Sequence, residues 1–205
     1  MKTPSFLASF LGMASFAQAH VHVYEATLSG PNENVPNSST AIGTSTVMLD
    51  LDLITMLVEI DFSGLSGNSS AAFIHAPTVI PLTGTAGPMT PVLSDSGFPL
   101  GVTSGTYGYL FDLTDAPGYN PAFITASGGT VSDALNTLIF AFEDGTGYLS
   151  IRSSAFPNGE IRGFYTEVFE VPEPASVAMI GFGWCVLSLA RQRGSGSNRR
   201  RTYTA

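Results

Sequence analysis

Three histidines, His20, His22 and His75, and one cysteine, Cys185, are the side chains of this 205-residue chain best suited to bind a transition metal or to act near neutral pH. His20 and His22 are separated by Val21. Cleavage after Ala19 would make His20 the first residue and His22 the third. A free amine, the intervening amides and a third-position imidazole can hold Cu(II) in a square plane. The pair is therefore a candidate copper site, and a small copper-dependent redox enzyme is the activity it would imply. His75 stands alone between Ile74 and Ala76, ahead of Pro77. Metals take three or four such ligands, so a partly buried histidine satisfied by hydrogen bonds is the better reading.

Carboxylates come in alternating pairs, Asp50 with Asp52 and Glu59 with Asp61. Calcium takes six to eight oxygens in a loop-like cage, and no D-x-D-x-D-G loop is present, so these pairs read as solvated strand faces. Tyr107, Tyr109 and Phe111 form a period-two aromatic stripe. It could stack on a sugar, but that spacing more often marks the core face of a sheet. Pro157, Asn158 and Gly159 are turn residues, and Glu160 and Arg162 alternate on the strand that follows. These two could pair with each other or with groups on a neighbouring strand, and the expected role is to fix a corner. G-x-S-x-G, H-E-x-x-H and P-loop motifs are absent from the sequence. A Ser-His-Asp triad would have to use His75. The reading is non-enzymatic, with no cofactor.

Positioning these residues falls to a predominantly β chain. Strands are expected over Val21–Leu28, Ile42–Leu51, Leu57–Phe62, Ala71–His75, Thr106–Leu113, Gly147–Arg152 and Glu160–Val168, with a further one at Thr90–Leu93. Val58, Ile60 and Phe62 should face inward, with Glu59 and Asp61 outward. Ser29–Thr40, Ala76–Ser104 (apart from its short strand) and Ala116–Gly129 read as irregular. Val131, Leu135, Leu138, Ile139 and Phe142 recur at helical spacing, with Ser132 as candidate N-cap, and this should be the only helix of the domain. The fold class is mainly β, an antiparallel sandwich or barrel with one short helix.

The two ends of the chain differ from this domain. Lys2, an apolar stretch around Phe6 to Phe16, and Ala17-Gln18-Ala19 form a signal-peptide pattern over residues 1–19. Residues 20–170 make the β domain. It holds all the acidic residues except Glu173, and only Arg152 and Arg162 among the basic ones, for a formal charge of −13. Such a domain repels nucleic acid and anionic lipid. It also lacks cysteine, so no disulfide supports it.

Ala175 to Ala190 is uncharged and would span about 24 Å as a helix, against a hydrocarbon core of about 30 Å. Arg191 and Arg193 follow it, as expected for a cytoplasmic flank. This predicts a membrane helix over residues 175–190 and a basic polar tail over 194–205.

Several stretches carry a resemblance. Leu28-Ser29-Gly30, Gly43-Thr44-Ser45-Thr46, FSGLSGNSSAAFIH (62–75) and YLSIRSSAFPNGEIRGF (148–164) resemble the CHRD (chordin-type) domain. The most specific piece is Pro157 to Gly163. The resemblance implies an extracellular binding or structural module, with His75, Gly159, Glu160, Arg162 and Gly163 as its motif positions. The family's other histidine positions are here Phe73 and Arg152. If those histidines form a ligand site in relatives, most of it is replaced here.

Pro172-Glu173-Pro174, the apolar segment and the arginines resemble a PEP-CTERM sorting signal over residues 171–193. This implies processing by an exosortase-like enzyme in a Gram-negative bacterium, by way of an inner-membrane intermediate. Delivery would be to the cell surface or extracellular matrix, with an extracellular polysaccharide or surface protein as partner. A permanently anchored envelope protein is the alternative, should the tail survive.

Overall fold

The structure, a computed structural model, describes residues 20–168. The signal-peptide residues Ala17 and Ala19, the sorting residues Pro172, Glu173, Pro174, Arg191 and Arg193, the apolar segment 175–190 and the tail 194–205 lie outside the described residues. Among the described residues, no helix is long and apolar enough to cross a membrane.

Eight strands form one sheet: β1 (Val21–Ser29), β2 (Ile42–Asp50), β3 (Thr55–Ser63), β4 (Ser69–His75), β5 (Gly105–Asp112), β6 (Tyr148–Ser153), β7 (Ile161–Phe164) and β8 (Thr166–Glu167). Their order is β4-β6-β7-β1-β2-β3-β5, with β8 also paired to β1. Every pairing is antiparallel. The sheet curls into a half-barrel, whereas the sequence suggested a sandwich or a barrel.

Period-two alternation builds the core. Val47 and Leu49 on β2 and Met56, Val58, Ile60 and Phe62 on β3 are buried, while Glu59 and Asp61 point to solvent. Turning these apolar side chains to one side contributes about 1.5–3 kcal/mol for each large one.

Among the described residues two helices close the core, where the sequence predicts one for the domain. α1 (Pro121–Ser127) starts at Asn120, whose side chain accepts from the Ala122 amide, and stops at Gly128. α2 (Val131–Glu143) is capped by Thr130, which accepts from the Asp133 amide, rather than by Ser132. Its Leu138 and Phe142 are buried, and the Phe142 ring lies 5.1 Å from Tyr24 and 5.2 Å from Tyr165.

Three other expectations change. Thr90–Leu93 is not a strand. That part of the loop ends in a 3-10 turn at Leu93–Ser96, where Leu93 fills the core. The final strand breaks between β7 and β8 at Tyr165, whose buried hydroxyl meets that of Ser45 at 2.8 Å. Of the aromatic stripe, Tyr107 and Phe111 are buried, but Tyr109 is 41% exposed because β5 is the last strand of the sheet.

Candidate functional site

Strands β4, β6 and β7 are covered on both faces. Ile74, Leu149, Ile151 and Ile161 turn to the core. The alternating residues on the other side are the buried His75, Tyr148, Ser150 and Arg162 and the half-buried Arg152, an unusual set for an interior. The register explains their meeting: His75 lies opposite Tyr148, Tyr148 opposite Phe164, and Ser150 opposite Arg162.

The result is a ladder of rings and guanidinium groups. His75 stacks on Tyr148 with ring centres 4.8 Å apart. The Arg162 guanidinium lies 3.6 Å from the Tyr148 ring centre and 4.6 Å from that of Phe164. Stacking of this kind suits the planar, weakly hydrated guanidinium. Arg152 sits 5.0 Å above Phe73. Arg152 and Phe73 thus contact each other as cation and ring.

The loop after β4 seals this layer. Arg162 Nη2 donates to the Gly84 carbonyl. The His75 Nδ1 lies 3.0 Å from the Ala86 carbonyl oxygen, and the Ala86 amide donates to the Tyr148 hydroxyl at 3.2 Å. Burial lowers the His75 pKa to about 4, with the charges of Arg152 and Arg162 acting in the same direction. The imidazole is therefore neutral at physiological pH. Glu33 reaches in from the loop after β1 and accepts from Ser150 Oγ at 2.8 Å. Burial pushes its carboxyl pKa up, against the hydrogen bond from Ser150 and the charge of Arg162.

Glu160 and Arg162 do not pair with each other. Glu160 Oε1 accepts from Ser39 Oγ at 2.7 Å and from the Ser66 amide at 2.6 Å. It thereby ties two loops to the start of β7. Burial opposes its ionisation, but the bonds from the serines around it, Ser153, Ser66 and Ser39, hold the carboxyl below its usual range. A side chain at Gly159, which has φ +139°, would collide with the Glu33 carboxylate, and one at Gly163 would collide with the Thr27 carbonyl. All five motif positions are thus placed in contacts internal to the fold.

The N-terminal histidines sit elsewhere, His20 just before β1 and His22 near its start. His20 Nδ1 lies 3.1 Å from Asp52 Oδ1, and His22 Nδ1 lies 3.0 Å from Glu167 Oε1. Hydrogen bonding from His20 holds the Asp52 carboxyl below its usual range. Each imidazole faces a different carboxylate. Among the described residues, no three of His, Cys, Asp and Glu converge to hold a metal.

One open concavity does combine an aromatic ring with polar groups. A cleft of about 300 Å³ beside β5 is lined by Tyr109, Asp95, Asp112, Asp115 and Pro117. Tyr109 stands edge-on to Phe111 at 4.8 Å, which props its ring at the rim. The aromatic stripe is legible in the sequence but the carboxylates are not, since they arrive from the 3-10 turn at Leu93–Ser96, from the last residue of β5 and from the segment after it.

The family model for the CHRD domain matches residues 24–165. No curated protein and no solved structure matches the chain.

Proposed function

The chain belongs to the CHRD domain family, and from that premise we propose that it is an exported, non-enzymatic protein with a binding or structural role at the bacterial surface. The sorting segment at residues 171–193 and the signal pattern at residues 1–19 support delivery by an exosortase-type system, with residues 175–190 in the inner membrane before processing. Tail cleavage would release the domain to the cell surface or the extracellular matrix.

The observation that carries the non-enzymatic reading is the fate of the motif residues. His75, Glu160 and Arg162 are 6%, 0% and 2% exposed, and His75 Nδ1, Glu160 Oε1 and Arg162 Nη2 bond to the fold's own loops. Such groups set loop geometry and leave recognition to the surface. The Tyr109 cleft is the surface best suited to an extracellular polysaccharide. Its ring offers a stacking face, and Asp95, Asp112 and Asp115 offer acceptors for sugar hydroxyls.

Retention of the full chain on polysaccharide from its host's matrix tests this. Tyr109→Ala should lower retention at least about ten-fold, as expected when one aromatic anchor is removed. Equal retention of wild type and variant would remove the cleft from the account.

A further inference from the structure

The two edges of the sheet are treated differently. Edge β4 is covered: the Met89 amide donates to Ile74 O at 2.8 Å, and the Gly101 amide to Ser69 O at 2.9 Å. Edge β5 has β3 on one side and no strand on the other among the described residues. The Leu113 amide donates to Ile54 O at 3.0 Å, in continuation of the β3–β5 register. Alternation along an antiparallel strand then directs the backbone groups of Tyr107, Tyr109 and Phe111 to β3, and those of Thr106, Gly108 and Leu110 to the free edge.

Natural edges are usually guarded by lysine, proline, a bulge or a covering loop. From Gly105 to Phe111 this edge has no lysine or proline, and its register with β3 is unbroken. Leu110 is 58% exposed and Tyr109 41%. A Cβ on Gly108 would meet nothing within 4 Å.

We propose that β5 is the surface through which two copies of this chain pair, edge to edge and antiparallel. The strand is its own complement. A two-fold axis at Gly108 sets Gly108 opposite Gly108, Thr106 opposite Leu110 and Tyr107 opposite Tyr109. Directly opposed residues share a face, as antiparallel pairing requires. Gly108 puts no side chain at the axis.

Charge selects the strand as well. The domain carries −13, so most of its surface repels a second copy, yet Gly105–Phe111 holds no charge. Pairing would cover Leu110 and the outer side of Tyr109 and join two half-barrels into one continuous sheet. A single strand pair buries little area, so the dimer is a weak, reversible one. The inference does not depend on how the protein is delivered.

Backbone hydrogen exchange of the full chain in non-ionic detergent, followed over about a hundred-fold range of concentration, tests the proposal. The amides of Thr106, Gly108 and Leu110 should exchange at least about ten-fold more slowly at the high end. Leu110→Lys should abolish that slowing while the Tyr107 amide, bonded to β3, stays protected. Gly108→Pro, which removes an outward donor from an edge, should do the same. Salt should strengthen the protection, because it screens two acidic domains from each other. Rapid exchange at every concentration would overturn the proposal. So would concentration-independent protection, which would mean that another part of the same chain covers the edge, and so would protection that survives Leu110→Lys.

Discussion

Arg162 and Tyr148 sit face to face, with the guanidinium 3.6 Å from the ring centre, although only 2% of the arginine is exposed. A cation so deeply placed is tolerated because the Tyr148 and Phe164 rings flank it and the Gly84 carbonyl accepts from it. Removing its planar head while keeping its length should therefore destabilise the fold. Arg162→Met is expected to cost about 2–4 kcal/mol, and Arg162→Lys to recover only part of that, because an ammonium does not stack. Urea unfolding midpoints of the two variants check this.

His75 sets a pH dependence. Its pKa of about 4 in the folded state lies below the ordinary 6.5, so the unfolded chain binds the extra proton first as pH falls. Stability from this group is full above about pH 6.5 and is lost progressively as pH falls towards 4, by up to about 3 kcal/mol. Glu33, with its raised pKa, works in the opposite direction as pH falls towards the ordinary carboxylate range. Unfolding midpoints at pH 7 and pH 4.5 should differ clearly in the wild type and much less in His75→Gln.

Two glycines in strands should respond oppositely to alanine. Gly163→Ala drives a methyl into the Thr27 carbonyl, a backbone group with no room to yield, and should cost about 2–3 kcal/mol or more. Gly108→Ala meets open space at an unstrained φ and should be neutral or stabilising by up to about 1 kcal/mol. Thermal unfolding of the pair separates steric need from mere glycine content.

The Glu160 carboxylate joins Ser39 and Ser66 to the start of β7. Glu160→Gln keeps the shape but weakens two charge-assisted bonds, and should cost about 1–3 kcal/mol at pH 7. Its folded pKa is depressed, so this stabilisation is present above the ordinary carboxylate pKa and fades as pH falls through the folded value. The gap between wild type and variant should therefore narrow in acid.

How much of this was legible beforehand follows from the range of the forces involved. Strands β1, β2 and β3 were readable because each buries one face, so Val47, Leu49, Val58, Ile60 and Phe62 repeat at period two. β6 was harder to interpret, since both its faces are buried and the role of Arg152 and Tyr148 depends on a loop far away in sequence. α1 was missed because seven residues are too few to show a period, although Asn120-Pro121 is a cap followed by a first-turn proline. By period Tyr109 reads with its neighbours as core; only the sheet order reveals that β5 has no strand beyond it among the described residues. The corner role of Glu160 followed from the turn before it, but its partners, Ser39 and Ser66, lie some hundred residues away and leave no local trace.

The most direct test of the central claim is intact mass together with metal analysis of the protein recovered from its native host's medium and envelope. The account predicts a metal-free chain running from His20 to near Glu173. Stoichiometric copper would contradict it in favour of a redox role for His20 and His22, and a chain still carrying Tyr203 would contradict it in favour of a permanently anchored envelope protein.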